Sequence, residues 1–355
     1  MLIVDSHLDL AWNALQWNRD LELDALTIRA QEQAPTARGH GTGTVALPNL
    51  REGRVCVCFA TTLARCTGRP VPHVDYGSPA QAYAQGQGHI AYYRALERMG
   101  LVRILHTGDE LERHVAAWRA WDADPEGDSP PVGMVLAMES ADPILGPDDI
   151  GEWHRDGIRV IGPAHYGPGR YAGGTGTDQG LTAAGRSLLE GMAREGVMLD
   201  LTHLSDAAFW QAVDLYQGTV LASHNNCRAL VSHQRQFDDD QLRAIIDRDG
   251  VVGAAMDVWM LQQGWRRGDS NLASGLAQVA DHIDHVCQLA GNSRHAAIGS
   301  DLDGGFGGEQ SPHDLDTIAD LQQVAKILAG RGYGDEDVAA IMHGNWFRLL
   351  GKALR

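Results

Sequence analysis

The sequence predicts an α/β architecture, a (β/α)8 TIM-type barrel built by residues 1–355 as a single domain. Three observations carry that expectation. Short apolar runs rich in β-branched residues alternate with amphipathic stretches along the chain. Eight such runs can be counted, near residues 3, 55, 133, 159, 198, 220, 252 and 297. Residues able to bind metal or move protons follow most of them, at the carboxyl ends where barrel sites assemble. A doubly wound open sheet would alternate in the same way; the ring of active residues favours the barrel.

The elements follow in order. The run Leu2-Ile3-Val4 is a buried strand that empties into Asp5-Ser6-His7-Leu8-Asp9, and residues 11–21 are amphipathic. Residues 34–49, with Gly39, Gly41, Gly43 and Pro48, read as a loop before a strand at 54–61. A helix is expected at 79–99, an accessory strand at 101–106, and a second helix from an Asp109 cap to Trp121. After a polar loop at 122–131 the alternation becomes regular. Strands are expected at 132–139, 158–164, 197–201, 219–223, 251–256 and 296–300, with helices at 147–156, 182–195, 205–216, 239–249 and 272–290. Two helices, 315–329 and 335–354, close the chain.

Composition narrows the function. Hydrophobic residues make up 44% and charged residues 21%, as in soluble globular proteins. A formal charge of −17 disfavours nucleic acid, which demands a basic surface. No apolar run approaches the ~18–20 residues of a membrane span, and the start has no signal-peptide pattern. Cys56, Cys58, Cys66, Cys227 and Cys287 are odd in number, and the first two alternate within an apolar strand. Buried thiols in a reducing compartment are expected, hence a cytoplasmic protein.

The candidate chemistry sits at six strand ends: His7 and Asp9, Glu139, His165, His203, His224 and Asp301. Side chains two apart on a strand share a face, so His7 and Asp9 can converge on one cation. Other histidines (His40, His73, His89, His114, His154 and His313) fall on loops and helices. Purely structural histidines would not sort to strand ends in this way. His7, Asp9, Glu139, His203 and His224 are too many donors for one catalytic zinc with an open position. They suit two ions about 3.5–4 Å apart sharing a carboxylate. No lysine ends these strands, so Glu139 is the bridge. The loop Gly167-Pro168-Gly169-Arg170-Tyr171-Ala172-Gly173-Gly174 lacks the phosphate-binding Lys-Ser/Thr ending and reads as a mobile active-site loop, with Tyr171 toward substrate. Asp303 reads as a loop-ordering acceptor, and Trp259 and Trp265 as pocket or packing residues.

Asp5-Ser6-His7-Leu8-Asp9, Ala137-Met138-Glu139-Ser140-Ala141, Leu199-Asp200-Leu201-Thr202-His203, Ala222-Ser223-His224 and Ile298-Gly299-Ser300-Asp301-Leu302-Asp303-Gly304 resemble the motifs of the membrane (renal) dipeptidase family, metallopeptidase family M19. The resemblance runs nearly end to end, through Gly180-Leu181-Thr182-Ala183-Ala184-Gly185-Arg186 and Gly344-Asn345-Trp346-Phe347-Arg348. It implies a metal-dependent hydrolase in which two Zn2+ ions and a bridging hydroxide cleave free dipeptides, often with a D-residue at the carboxyl end. By motif, His7 and Asp9 would bind one zinc, His203 and His224 the other, and Glu139 both. Asp301 resembles the family's proton carrier. His165 would stabilise the oxyanion or orient the scissile carbonyl. Arg235, eleven residues after His224, would grip the substrate carboxylate with two parallel hydrogen bonds, with Arg228 the alternative. The resemblance also suggests a homodimer. Human-type members carry a signal peptide, a lipid anchor and disulfides that this chain does not match, so no membrane anchor is expected. The rival reading is an amidohydrolase-type enzyme acting on cyclic amides, lactones or phosphoesters. Such sites generally open with His-x-His, where this chain has His7-Leu8-Asp9. A binding scaffold that has lost catalysis would be expected to lack a donor, and none is missing.

Overall fold

The structure, a computed structural model, describes residues 1–32 and 38–354. Its elements are β1 (Ile3–Leu8), α1 (Leu10–Gln16), α2 (Ala25–Gln31), α3 (Leu47–Glu52), β2 (Val55–Leu63), α4 (Pro79–Arg98), β3 (Val102–Ile104) and α5 (Gly108–Ala123). Then come β4 (Val132–Glu139), α6 (Ile150–Arg155), β5 (Ile158–Gly162), α7 (Ala183–Glu195), β6 (Met198–Asp200), α8 (Asp206–Leu215), β7 (Val220–Leu221) and α9 (Asp239–Asp247). The chain finishes with β8 (Val252–Ala254), α10 (Val258–Leu261), α11 (Leu276–Ala290), β9 (Ala296–Ile298), α12 (Gln322–Gly330), α13 (Asp335–Ala339) and α14 (Asn345–Ala353).

Every strand pairing is parallel, in the order β7-β6-β5-β4-β2-β1-β9-β8. Ala222, just past β7, closes the ring. Its amide donates to the Val251 carbonyl and its own carbonyl accepts from Gly253, at 2.9 and 2.8 Å. The expected (β/α)8 barrel is therefore the observed fold. β3 is the accessory strand: it pairs with the start of β4, and β5 pairs with β4 from Leu136 onward. Residues of β1, β2 and β4 are buried along their whole lengths, as strands covered by helices outside and packed side chains inside must be. At one wall the backbones crowd. A Cβ on Gly253 or Gly299 would lie 2.1 or 1.8 Å from the Ser223 carbonyl oxygen, so only glycine admits the approach.

Several boundaries differ from expectation. The loop expected at 34–49 contains the start of α3, because Pro48 occupies the first helical turn, where its missing N–H costs nothing; residues 34–37 lie outside the described residues. The short helices α2 and α10 were not foreseen. α5 is capped by Thr107 in a capping box with Glu110, not by Asp109. α11 starts at Leu276, leaving Leu272 73% exposed. The final helix is interrupted by a π-helical turn, Ala340–Gly344. Asn345 and Trp346 then anchor α14 by donating to the carbonyls of Ser293, Ala296 and Ile298. All five cysteines are free thiols. Among the described residues no helix is long and apolar enough to cross a membrane.

Candidate metal centre and its cleft

The barrel brings the expected residues to one point. Glu139 ends β4, and its Oε1 lies 3.2 Å from His203 Nε2, 3.3 Å from His224 Nε2, 3.4 Å from His165 Nε2 and 3.5 Å from His7 Nε2. Asp301 Oδ1 lies 3.8 Å from His7 Nε2, and the Asp301 amide donates to the His7 carbonyl. Asp9 accepts from the Thr61 hydroxyl. Ligand atoms fall within 4.8 Å of one another in three groups: His7, Glu139 and His224; Glu139, His165 and His203; His7, Asp9 and Asp301. His203 and Asp301 leave their strands with φ of 67° and 58°, a left-handed geometry that non-glycine residues adopt at a cost and that turns both side chains into the ring.

Hydrogen-bond partners assign the tautomers. The Ser223 hydroxyl donates to Asp200 Oδ2 at 2.5 Å, so it accepts from His224 Nδ1 at 2.9 Å. The Thr175 hydroxyl donates to the His203 carbonyl at 3.3 Å and accepts from His203 Nδ1 at 3.0 Å. Each ring thus keeps its proton on Nδ1 and turns a bare Nε2 inward. Those two Nε2 atoms stand 3.1 Å apart beside a carboxylate, and His7 Nε2 is buried with no hydrogen-bond partner. Lone pairs that converge without a proton between them fit a cation, and outer partners that fix imidazole orientation are what metal-binding histidines require.

His165 is different. Its Nδ1 faces Arg65 NH1 at 3.3 Å, and a guanidinium can only donate. The proton of a neutral His165 therefore sits on Nε2, aimed into the site. Burial, Arg65 and Arg235 hold it neutral, down at about 3, against the opposing pull of Glu139.

The electrostatics point the same way. Burial would lower His7, yet Glu139, Asp9 and Asp301 pull it up to about 10. Burial raises Asp9 to about 6, helped by Glu139, and raises Asp301 well above the usual carboxylate range, helped by Glu139 and Asp9. His203 and His224 are held well below their ordinary value, chiefly by burial. Three carboxylates in one buried ring call for more positive charge than a protonated His7 alone supplies.

The ring opens into a cleft of about 430 Å³ lined also by Arg235, Tyr166, Trp259 and Trp265. Arg235 is 2% exposed. It donates to Asn225 Oδ1 at 2.6 Å and to the His224 carbonyl at 2.9 Å, leaving its Nε–H without a partner. Arg228 forms a two-point pair with Asp206 outside the cleft. Tyr171 is also placed elsewhere: its hydroxyl donates to the Ile144 carbonyl at 2.7 Å, and Tyr166 lines the cleft instead. The Gly-rich loop expected to be mobile is tied down by backbone bridges, and through Thr175 it supports His203. Asp303 orders a loop, as expected, accepting from Thr44, Val45 and Arg19. Arg65 and Tyr166 escaped the sequence reading: neither ends a strand, and Tyr166 was marked only by adjacency to His165.

The family model of the membrane dipeptidases (peptidase family M19) matches residues 1–354. The dipeptidase aclJ of Aspergillus oryzae is 29% identical over 317 residues, covering 87% of this chain and 70% of that one. The solved dipeptidase AC, a metallopeptidase of family M19, is 25% identical with a TM-score of 0.80, covering 100% of this chain and 99% of that one. A metallopeptidase from Rhodobacter sphaeroides, solved with a phosphinate mimic of L-Ala-D-Ala, has the same fold at 24% identity, with a TM-score of 0.80 and 99% of each chain covered. A whole-length family match, a closed parallel barrel and a ring of metal-competent donors at its mouth lead to one conclusion: the chain belongs to the membrane dipeptidase family, M19, and is a metallo-dipeptidase that hydrolyses peptide bonds.

Proposed function

We propose that this protein is a dinuclear zinc dipeptidase acting on free dipeptides, L-D as well as L-L. The observation that carries the reading is the convergence of inward-facing Nε2 atoms on one oxygen of Glu139. In this reading His7 and Asp9 hold one ion, His203 and His224 the other, and Glu139 both. Zinc, when bound, supplies Lewis acidity that activates water and polarises the scissile carbonyl.

The chain's own groups supply the rest. Asp301 accepts the proton of the attacking water and returns it to the departing amine nitrogen as the C–N bond breaks. His165 donates from Nε2–H to the carbonyl oxygen as negative charge develops there. Arg235 takes the terminal carboxylate through its unpartnered edge. Tyr171 has no part in this scheme.

The test is a panel of L-X-L-X and L-X-D-X dipeptides, carboxyl-blocked dipeptides, lactones and phosphotriesters, with metal content measured on the same sample. Two zinc ions per chain and hydrolysis restricted to free dipeptides are expected. Turnover of lactones or phosphotriesters alone, or less than one ion per chain, would overturn the proposal.

A further inference from the structure

Two arginines of the cleft have no part in the chemistry above. Arg38 lies between α2 and α3, Arg267 in the loop after α10, and both line the cleft. Among the described residues neither enters an ion pair or donates a hydrogen bond. Arg38 Nε is buried without a partner, and its guanidinium carbon lies 5.9 Å from the centre of the Phe306 ring. Burial and the neighbouring charge of Arg267 together hold Arg38 below its ordinary pKa.

Acidic partners are abundant, since the chain has 46 Asp and Glu against 29 Lys and Arg. Arginines elsewhere around the site use them: Arg19 pairs with Glu32 and Asp303, and Arg65 with Asp75. The carboxylates that attract Arg38 from a distance are engaged elsewhere. Asp257 accepts from Gln310 Nε2 and Trp259 Nε1, both at 2.6 Å. Glu309 accepts from Thr42 and from the Gly307 amide. Two guanidiniums lining one cleft, neither paired with a carboxylate, leave a local excess of positive charge that an anion would relieve. The engaged oxygens of Asp257 make the opposite choice, a subsite for a basic side chain, the weaker one.

We propose that Arg38 and Arg267 form an anion subsite, and that the preferred substrates are dipeptides bearing a second carboxylate on an Asp or Glu side chain. This rests on the dipeptidase reading and adds to it the substrate class. Arg235 serves the carboxylate every free dipeptide has, and the Arg38–Arg267 pair serves the one only acidic dipeptides have.

The experiment compares kcat/KM of the zinc-loaded enzyme on acid and amide partners: Ala-Asp with Ala-Asn, Ala-Glu with Ala-Gln, and Asp-Ala with Asn-Ala, in L-L and L-D forms. An acid-to-amide ratio of roughly tenfold or more is expected for the position that reaches the pair. The ratio should shrink with added salt and approach one in Arg38→Gln and Arg267→Gln. Arg267 is exposed, so its variant tests the idea even if Arg38→Gln fails to fold. A ratio near one at both positions, or one unchanged in Arg267→Gln, overturns the subsite while leaving neutral dipeptide hydrolysis intact. Absence of hydrolysis of every dipeptide, Ala-Ala included, overturns the parent reading and this one with it.

Discussion

Ser223 shows how much one residue can settle. Its hydroxyl hydrogen goes to Asp200, so its lone pairs take the His224 Nδ1 proton and leave Nε2 bare toward Glu139. Arg65 does the reverse for His165, and two histidines a few ångströms apart acquire opposite roles, acceptor and donor. Asp301 is the residue whose proposed role is most exposed to test. Asn tolerates the left-handed backbone that Asp301 adopts, so Asp301→Asn removes the proton acceptor without disturbing the turn. We expect kcat to fall about 10²–10⁴-fold with metal content unchanged, read by elemental analysis beside steady-state kinetics. Turnover retained at wild-type level would strip Asp301 of the proton-carrying role.

At the level of elements, the strands are short where the site is richest: β7 has two residues and β6 three, each followed within three residues by a histidine of the ring. Their ends were legible in sequence because a buried parallel strand is an apolar run, and a polar residue closing one stands out against it. The helices α2, α3 and α10 were not legible, being too short for a period to show. Nor were Arg65 and the Arg38–Arg267 pair, since loop residues that meet only through the closed barrel carry no pattern. Gly299 belongs at this scale too. A methyl group there would collide with the Ser223 carbonyl and displace the backbone that delivers His224. Gly299→Ala should cost about 3 kcal/mol of stability, measured by urea unfolding of the metal-free protein. A midpoint equal to wild type would show that this wall gives way.

For the whole molecule, metal uptake and protonation compete. His7 stands at about 10 because carboxylates surround it, so in the metal-free protein it carries its proton at pH 8. An ion binding there must displace that proton. Zinc uptake at pH 8 should therefore release roughly one proton per chain, and affinity should climb as pH rises toward 10 and weaken in acid. An indicator titration in dilute buffer reads this directly. Uptake without proton release would remove His7 from the ligand set. Because the ring exists only in the folded barrel, stripping the metal should lower the thermal midpoint, with about 4 kcal/mol at stake when zinc is a thousandfold above its Kd.

The tether of Arg235 has one more consequence. Its guanidinium is fastened to the backbone carbonyl of His224, the same residue whose ring faces Glu139. On the proposed reading, the gauge that meets the tail of the substrate and the blade that cuts it are mounted on a single amino acid. Neither can drift without carrying the other. A clamp so held does not swing outward for a tripeptide, so a restriction to two-residue substrates would be written into one hydrogen bond to the His224 backbone rather than into a movable wall.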